Sequence, residues 1–497
     1  MSGSVRFEPF LAGCNGAPGL CLRTNAVGLF MRSVSLFRNC TRMKTMTTAR
    51  CRRRRVASFL ISMSAMMAMQ GVMAEALWRA LSGGKPDLYL RYRFENVDDG
   101  QQPKLADAYA NTLRSALGYS TGLYHGFGLY AQLEDVRVLG DEDFNDGGGN
   151  GFTSRAVVVD PEGTEIQQAN LRYRGLPKTQ MWLGRQEIEH RTAPLHRYVG
   201  NVLWRQNWQT FDALRVVNDS VAALHVDYAY VWNVNRIFGD DNKLPDRADY
   251  SLNGHLIDLT WRGIPYSTLE PYAYLLDFGD NRLAGTRALS TATYGARLQG
   301  AYDLVGWAAK VLYTAEFAHQ EDYGHDNPLE ISVNYYLGEL GVSKLINHPW
   351  LESVTLKGSY EVLGGDGAVP VGKGKIGRAF QTPLGTNHAF QGWADRFLTT
   401  PADGVVDIYG TLAFKIVGAN LAFIYHDFDA DRGGYNYGNE WDVQLTRPIL
   451  EHYTLGIKYA RYEASGNATN LARNGATSAG KQAYDLSKLW LWAELKF

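Results

Sequence analysis

Leu88-Tyr89-Leu90-Arg91-Tyr92-Arg93-Phe94-Glu95 decides the fold. Leu88, Leu90, Tyr92 and Phe94 fall on one phase of a two-residue period, and Arg91, Arg93 and Glu95 fall on the other. Successive side chains of a strand point to opposite faces, so this is a strand with one apolar, aromatic face and one charged face. A water-soluble sandwich can hold one such strand, but here the pattern recurs down the chain. Comparable segments lie near 110–120, 123–137, 166–174, 179–186, 210–217, 222–234, 255–262, 267–276, 291–300, 307–318, 330–342, 353–363, 405–414, 419–428, 438–446, 453–463 and 487–497, eighteen in all.

The links between these segments alternate in length. Thr121-Gly122, Gly175 to Lys178, Asp219-Ser220, Gly263 to Tyr266, Lys415 to Gly418 and Arg447 to His452 are short, whereas those near 139–165, 187–209, 235–254, 364–404 and 464–486 are long. Short periplasmic turns and long outer loops are the habit of transmembrane barrels, and a sandwich has no reason to adopt it. Every odd segment precedes a longer link, which places both ends of the barrel on the periplasmic side and requires an even strand count. Backbone polar groups in lipid must be satisfied internally, so the sheet has to close. The expectation is an all-β, single-domain, antiparallel transmembrane barrel of about 18 strands in the bacterial outer membrane. In the last segment Leu489, Leu491, Ala493, Leu495 and the terminal Phe497 alternate with Trp490, Trp492, Glu494 and Lys496. That ending resembles the C-terminal signal by which barrel-insertion machinery recognises its clients.

Residues 1–74 read differently. Arg52 to Arg55 form a positive n-region, 56–69 is a short apolar run, and Val72-Met73-Ala74 is a small-residue cleavage site. We expect a leader over 1–74, with a signal peptide at 50–74 and an over-extended start before it, and the barrel over 75–497. All four cysteines (Cys14, Cys21, Cys40 and Cys51) lie in the leader, so 75–497 has no disulfide framework. The leader holds 11 of the 50 basic and 1 of the 51 acidic residues, leaving 39 against 50 and a formal charge of −11 on 75–497.

Turning the apolar phase to lipid puts Arg91, Arg93, Arg114, Arg172, Arg174, Arg297, Lys357 and Lys458 on the lumen side, with Glu95, Glu134, Asp227, Asp258, Glu316, Glu361, Glu440 and Asp442. A charge at mid-membrane on the lipid face costs roughly 2–4 kcal/mol for Arg or Lys, which fixes this facing. Two roles remain open for these groups: unpaired guanidinium forks that bind passing carboxylates, or paired ladders that brace the wall. Basic residues concentrate at Arg91, Arg93, Arg114, Arg172 and Arg174, a locally positive wall. No His-Glu-x-x-His helix or Gly-x-x-x-x-Gly-Lys-Ser/Thr phosphate-binding loop is present, and His319, His388 and His426 are too dispersed to define a site. Asp141 to Gly149 is acidic but fails the EF-hand spacing. We expect no enzyme, cofactor, metal or nucleic-acid partner.

A further set of motifs carries a family resemblance. Gly184-Arg185-Gln186, Trp204, Gln206, Phe211-Asp212, Thr293-Tyr294-Gly295 with Arg297, Glu316 to Gln320, and above all Thr386 to Leu398 leading into Asp407 and Tyr409 resemble the alginate export family of outer-membrane proteins. The resemblance implies an 18-stranded monomeric barrel with an electropositive pore for a uronate polymer. It also implies a long outer loop from Gly364 to Gly404 that folds over or into the pore mouth, ordered by Trp393, Asp395, Arg396 and Phe397. Arg185 joins the pore residues on this resemblance alone, since either Trp182 or the Met181/Leu183 pair can face lipid.

The expected partners are outer-membrane lipid and lipopolysaccharide, an anionic saccharide, and the insertion machinery acting through Phe497. The function expected is conduction of an anionic polysaccharide such as alginate, or of related polar solutes. The rivals are a general small-solute uptake porin and a barrel enzyme acting on lipid or glycan.

Overall fold

The computed structural model describes residues 74–497 except 101–103, 148, 193–194, 241–246, 280–284, 325–326, 367, 372–373 and 467–483. The expected leader, apart from Ala74, lies outside the described residues. Residues 77–497 form one compact unit.

The strands are β1 (Lys85–Asp99), β2 (Ala108–Ser120), β3 (Phe127–Val138), β4 (Gly163–Tyr173), β5 (Thr179–Gln186), β6 (Thr210–Asn218), β7 (Leu224–Asn235), β8 (Asp249–Trp261), β9 (Ser267–Phe278), β10 (Thr291–Leu304), β11 (Ala309–Asp322), β12 (Ser332–His348) and β13 (Leu351–Leu363). A hairpin within the long loop contributes β14 (Ala368–Val371) and β15 (Gly374–Gly377). The chain finishes with β16 (Val405–Ile416), β17 (Ala419–Asp429), β18 (Asn436–Ile449), β19 (Tyr453–Ala464) and β20 (Leu486–Lys496). Without the hairpin these make one 18-stranded sheet of sequential antiparallel neighbours. It closes where β1 pairs with β20, in register from Tyr89↔Lys496 to Asp99↔Leu486.

All eighteen expected strands are present, and most run longer than the apolar pattern suggests. β1 begins three residues before Leu88 and ends four after Glu95, and β8 begins at Asp249 rather than near 255. Beyond the hydrocarbon band water relaxes the apolar requirement while the ladder bonds continue, so the hydropathy signal stops before the strand does. β3 goes the other way, starting at Phe127 rather than 123. His125 and Gly126 take left-handed φ of 50° and 85°, and Tyr124 and Phe127 exchange backbone hydrogen bonds, which makes this stretch a tight turn.

Burial is inverted relative to a soluble protein: Arg114 is 0% exposed, while Leu340, next in sequence to lumen-facing Glu339, is 64% exposed. The outward phase is the lipid face and the charged phase points inward, which makes the chain an outer-membrane β-barrel. Its interior is not empty. Loops 187–209 and 364–404 enter it, and two apolar clusters form where they meet the wall. One gathers Tyr198, Tyr272, Tyr335, Phe380 and Leu384. The other gathers Trp393, Phe397, Phe428, Tyr437, Tyr462 and Trp490.

Candidate functional site

The basic wall of β1 and β2 is a socket. Arg91 donates from Nε to Gln206 Oε1 at 2.9 Å and from Nη1 to the carbonyl of Leu203 at 2.7 Å. Arg93 bonds Asp160 and the carbonyl of Trp204, and lies 3.3 Å from Glu95. Arg114 pairs with Glu134 and reaches the carbonyl of Gln206 at 3.0 Å. Asp160 in turn accepts from the backbone N–H of Gln206 at 2.8 Å. Buried carbonyls and carboxylates need donors, and these guanidinium groups supply them. Of the two roles left open for Arg91, Arg93 and Arg114, the structure places them in the paired one, tethering loop 187–209.

Carboxylates elsewhere on the wall work in the reverse sense. Glu361 accepts from Tyr335 at 2.6 Å, from Gln391 Nε2 at 2.7 Å and from Arg197. Glu316 accepts from Arg191 at 2.6 Å, Tyr272 at 2.7 Å and Arg297 at 3.1 Å. Glu440 and Asp442 take the backbone N–H groups of Ala394 and Trp393, at 2.6 and 3.1 Å. The two loops also join each other directly: Gly200 N–H donates to Leu384 O at 2.9 Å, and Thr386 N–H to His196 O at 2.8 Å.

Asp395 is the hub of the second loop, accepting from His388 Nδ1 at 2.6 Å, Lys488 at 2.7 Å and Arg205 at 3.4 Å. Burial opposes ionisation of Asp395, but His388, Lys488 and Arg205 together hold its carboxyl well below the usual range. Lys458 donates to His388 Nε2 at 3.1 Å and stands 3.8 Å above the Trp204 ring and 4.2 Å above that of Trp393. Trp204 stacks on His388, with centroids 4.4 Å apart and planes 4° from parallel. Burial, reinforced by the neighbouring cations, pushes the His388 pKa down to about 3 against the pull of Asp395. His388 is therefore neutral, with its proton on Nδ1 facing Asp395.

The other expected residues scatter. Arg172 faces the lumen half-exposed, 4.3 Å over the Tyr130 ring and 3.0 Å from Asn170 Oδ1. Arg174 lies past the end of β4, exposed in the turn 174–178, and so leaves the lumen set. Arg185 leaves it as well: alternation from the exposed Leu183 turns it outward, where it pairs with Asp212 at 3.2 Å. Trp393 and Phe397 pack into the wall, and Arg396 pairs with Asp99 at 3.3 Å beside the carbonyl of Tyr484. Sequence reasoning missed Asp160, Arg191, Arg197 and Arg205 because they sit on loops, where no period assigns a face. Their type was a usable signal: three arginines fall on one long link between membrane strands.

Arg297 and Lys357 do meet open space. They line a cavity of about 850 Å³ in the half of the lumen nearer the short turns, with Gln299, Glu339, Tyr409 and Thr411, while Leu195, Ala389 and Phe390 of the two loops also border it. Lys357 is 3.1 Å from Glu339 and Arg297 3.1 Å from Glu316, so even here these two cations have a carboxylate in reach.

No family model matches the chain, and no curated protein sequence matches it. Solved structures do. OccAB2 of Acinetobacter baumannii superimposes with a TM-score of 0.61 at 14% identity, covering 84% of this chain and 99% of its own. OccK9 (OpdG) of Pseudomonas aeruginosa gives 0.58 at 12% identity, covering 84% and 100%. OpdK of Pseudomonas aeruginosa, solved with vanillate, gives 0.55 at 15% identity, again covering 84% and 100%. Similarity at this level establishes a shared fold, here a closed 18-stranded antiparallel barrel.

Proposed function

We propose that this protein is a passive outer-membrane channel for small polar solutes, with a preference for small carboxylates over polymers. The observation that carries the reading is the pair of loops tied across the lumen: they leave a cavity of about 850 Å³ bordered by Arg297 and Lys357. That space suits a ligand of drug-like size. A uronate polymer needs a continuous positive track, and Arg91, Arg93 and Arg114 are engaged in holding a loop instead. The vanillate carried by a structural neighbour is a small carboxylate and is in keeping with this choice. The general-uptake reading is therefore preferred to alginate export.

Liposome swelling and planar-bilayer reversal potentials test it. Small monocarboxylates and monosaccharides should permeate, and oligouronates should neither permeate nor block. Block of conductance by oligouronates would restore the polymer reading.

A further inference from the structure

Ahead of β1, residues 74–82 form a helix that is exposed along nearly its whole length, Ala80 alone being half-buried. At about 100° per residue, Leu77, Trp78 and Leu81 share one face, Glu75, Arg79 and Ser82 a second, and Ala76 and Ala80 a third. The alanine side meets the barrel, where Ala80 O accepts from Gly122 N–H at 2.8 Å in the turn between β2 and β3. The apolar face is left without protein cover, with Trp78 67% exposed, Leu77 43% and Leu81 38%.

The place where this helix hangs identifies its occupant. Tyr119 donates from its hydroxyl to Leu81 O at 2.6 Å and accepts from Gly84 N–H at 3.0 Å. Tyr119 shares the outward phase of β2 with Leu117, so the helix is suspended from a side chain of the lipid face, not from the lumen. It lies at the end of the barrel that carries the short turns, beside the exposed Leu123, Phe127 and Leu129 of the same wall. A Trp and two Leu on one face of a short amphipathic helix, continuous with an aromatic girdle, match an interfacial segment lying in the plane of a bilayer.

We propose that residues 75–82 are a membrane anchor whose Leu77-Trp78-Leu81 face lies in the headgroup–acyl boundary of the periplasmic leaflet. The helix holds the wall at β1 to β3 against that leaflet, and its partner is phospholipid.

The test uses the full chain with Cys14, Cys21, Cys40 and Cys51 changed to Ser, and an environment-sensitive fluorophore on Trp78→Cys or, separately, on Ser82→Cys. The labelled protein is reconstituted into phosphatidylcholine vesicles whose acyl chains are brominated near the carbonyl end. The probe at 78 should lose more than about half its emission to the brominated lipid, as burial in the headgroup–acyl boundary requires, and resist aqueous iodide; the probe at 82 should do the opposite. Quenching of the 78 probe by iodide alone would show a water-facing helix and overturn the proposal. Quenching by neither agent would show a protein cover and would also overturn it. Adding Leu77→Asp and Leu81→Asp should abolish the lipid quenching while the barrel keeps its heat-modifiable migration on gels. Retained lipid quenching in that variant would equally sink the idea.

Discussion

Replacing Glu361 with Ala removes the acceptor shared by Arg197, Tyr335 and Gln391, two of which belong to the loops that cross the lumen. Arg197 is 1% exposed, and its guanidinium stands 4.2 Å from the Phe390 ring and 5.3 Å from that of Tyr335. Its other side-chain hydrogen bond, 2.9 Å to Gln391 Oε1, cannot neutralise it. Breaking a buried pair by removing one partner costs about 3–5 kcal/mol, because the other charge is left uncompensated. The cost falls on the docked loops and not on the ladder of β13, whose backbone bonds do not involve the side chain. At about 1.4 kcal/mol per tenfold change, even the lower figure raises the released population of the loops by roughly a hundredfold. Single-channel recording in planar bilayers reads this directly: the variant should show higher mean conductance and frequent steps between levels, in a barrel that still migrates as folded. Glu361→Gln, which keeps an acceptor, should show a smaller effect. Conductance and noise indistinguishable from the unmodified protein would refute the tether.

Four further outcomes are expected. Arg91→Ala with Arg93→Ala should increase conductance noise through release of loop 187–209, with little change in reversal potential, since these groups are paired; a large selectivity shift without added noise would contradict the socket. Arg297→Ala with Lys357→Ala should lower anion preference in a salt-gradient measurement, because both border the open cavity. Gly392→Ala should loosen the second loop by about 1–3 kcal/mol, as Gly392 has φ +78° and a Cβ there would overlap the Glu440 carboxylate, which channel noise would report. Acid should also loosen that loop. His388 is held near pKa 3 when docked and returns to about 6.5 in water, so release takes up a proton between those values. The docked state is at full strength above pH 6.5 and loses about 1.4 kcal/mol per unit as pH falls below it; Asp395, held below its usual range, acts in the same direction only in stronger acid. Noise rising from pH 7 to 4 in the native channel, and flat in His388→Gln, is the expected record.

The barrel is legible from residue order alone: eighteen strands, their facing, the alternation of short and long links, and the inward direction of Arg93, Arg114, Glu134, Glu316 and Glu361. Each of those follows from a local rule, since a two-residue period and the cost of charge in lipid act on neighbours along one strand. The same rule misled at the end of β4, where Arg174 passes out of the strand; it left the facing of Arg185 open, and the fold puts that residue on the outer phase with Asp212. Whom those charges meet emerges only in the folded chain. Arg91 and Gln206 are 115 positions apart, Arg197 and Gln391 are 194 apart, and each joins a loop to the wall or to the other loop. Thr386 to Leu398 was visible as a motif, but that its backbone N–H groups dock on Glu440 and Asp442 was not. Loops carry no period, and closing them into a charged lumen depends on the whole ring of strands being present at once, so no segment of sequence holds that information alone.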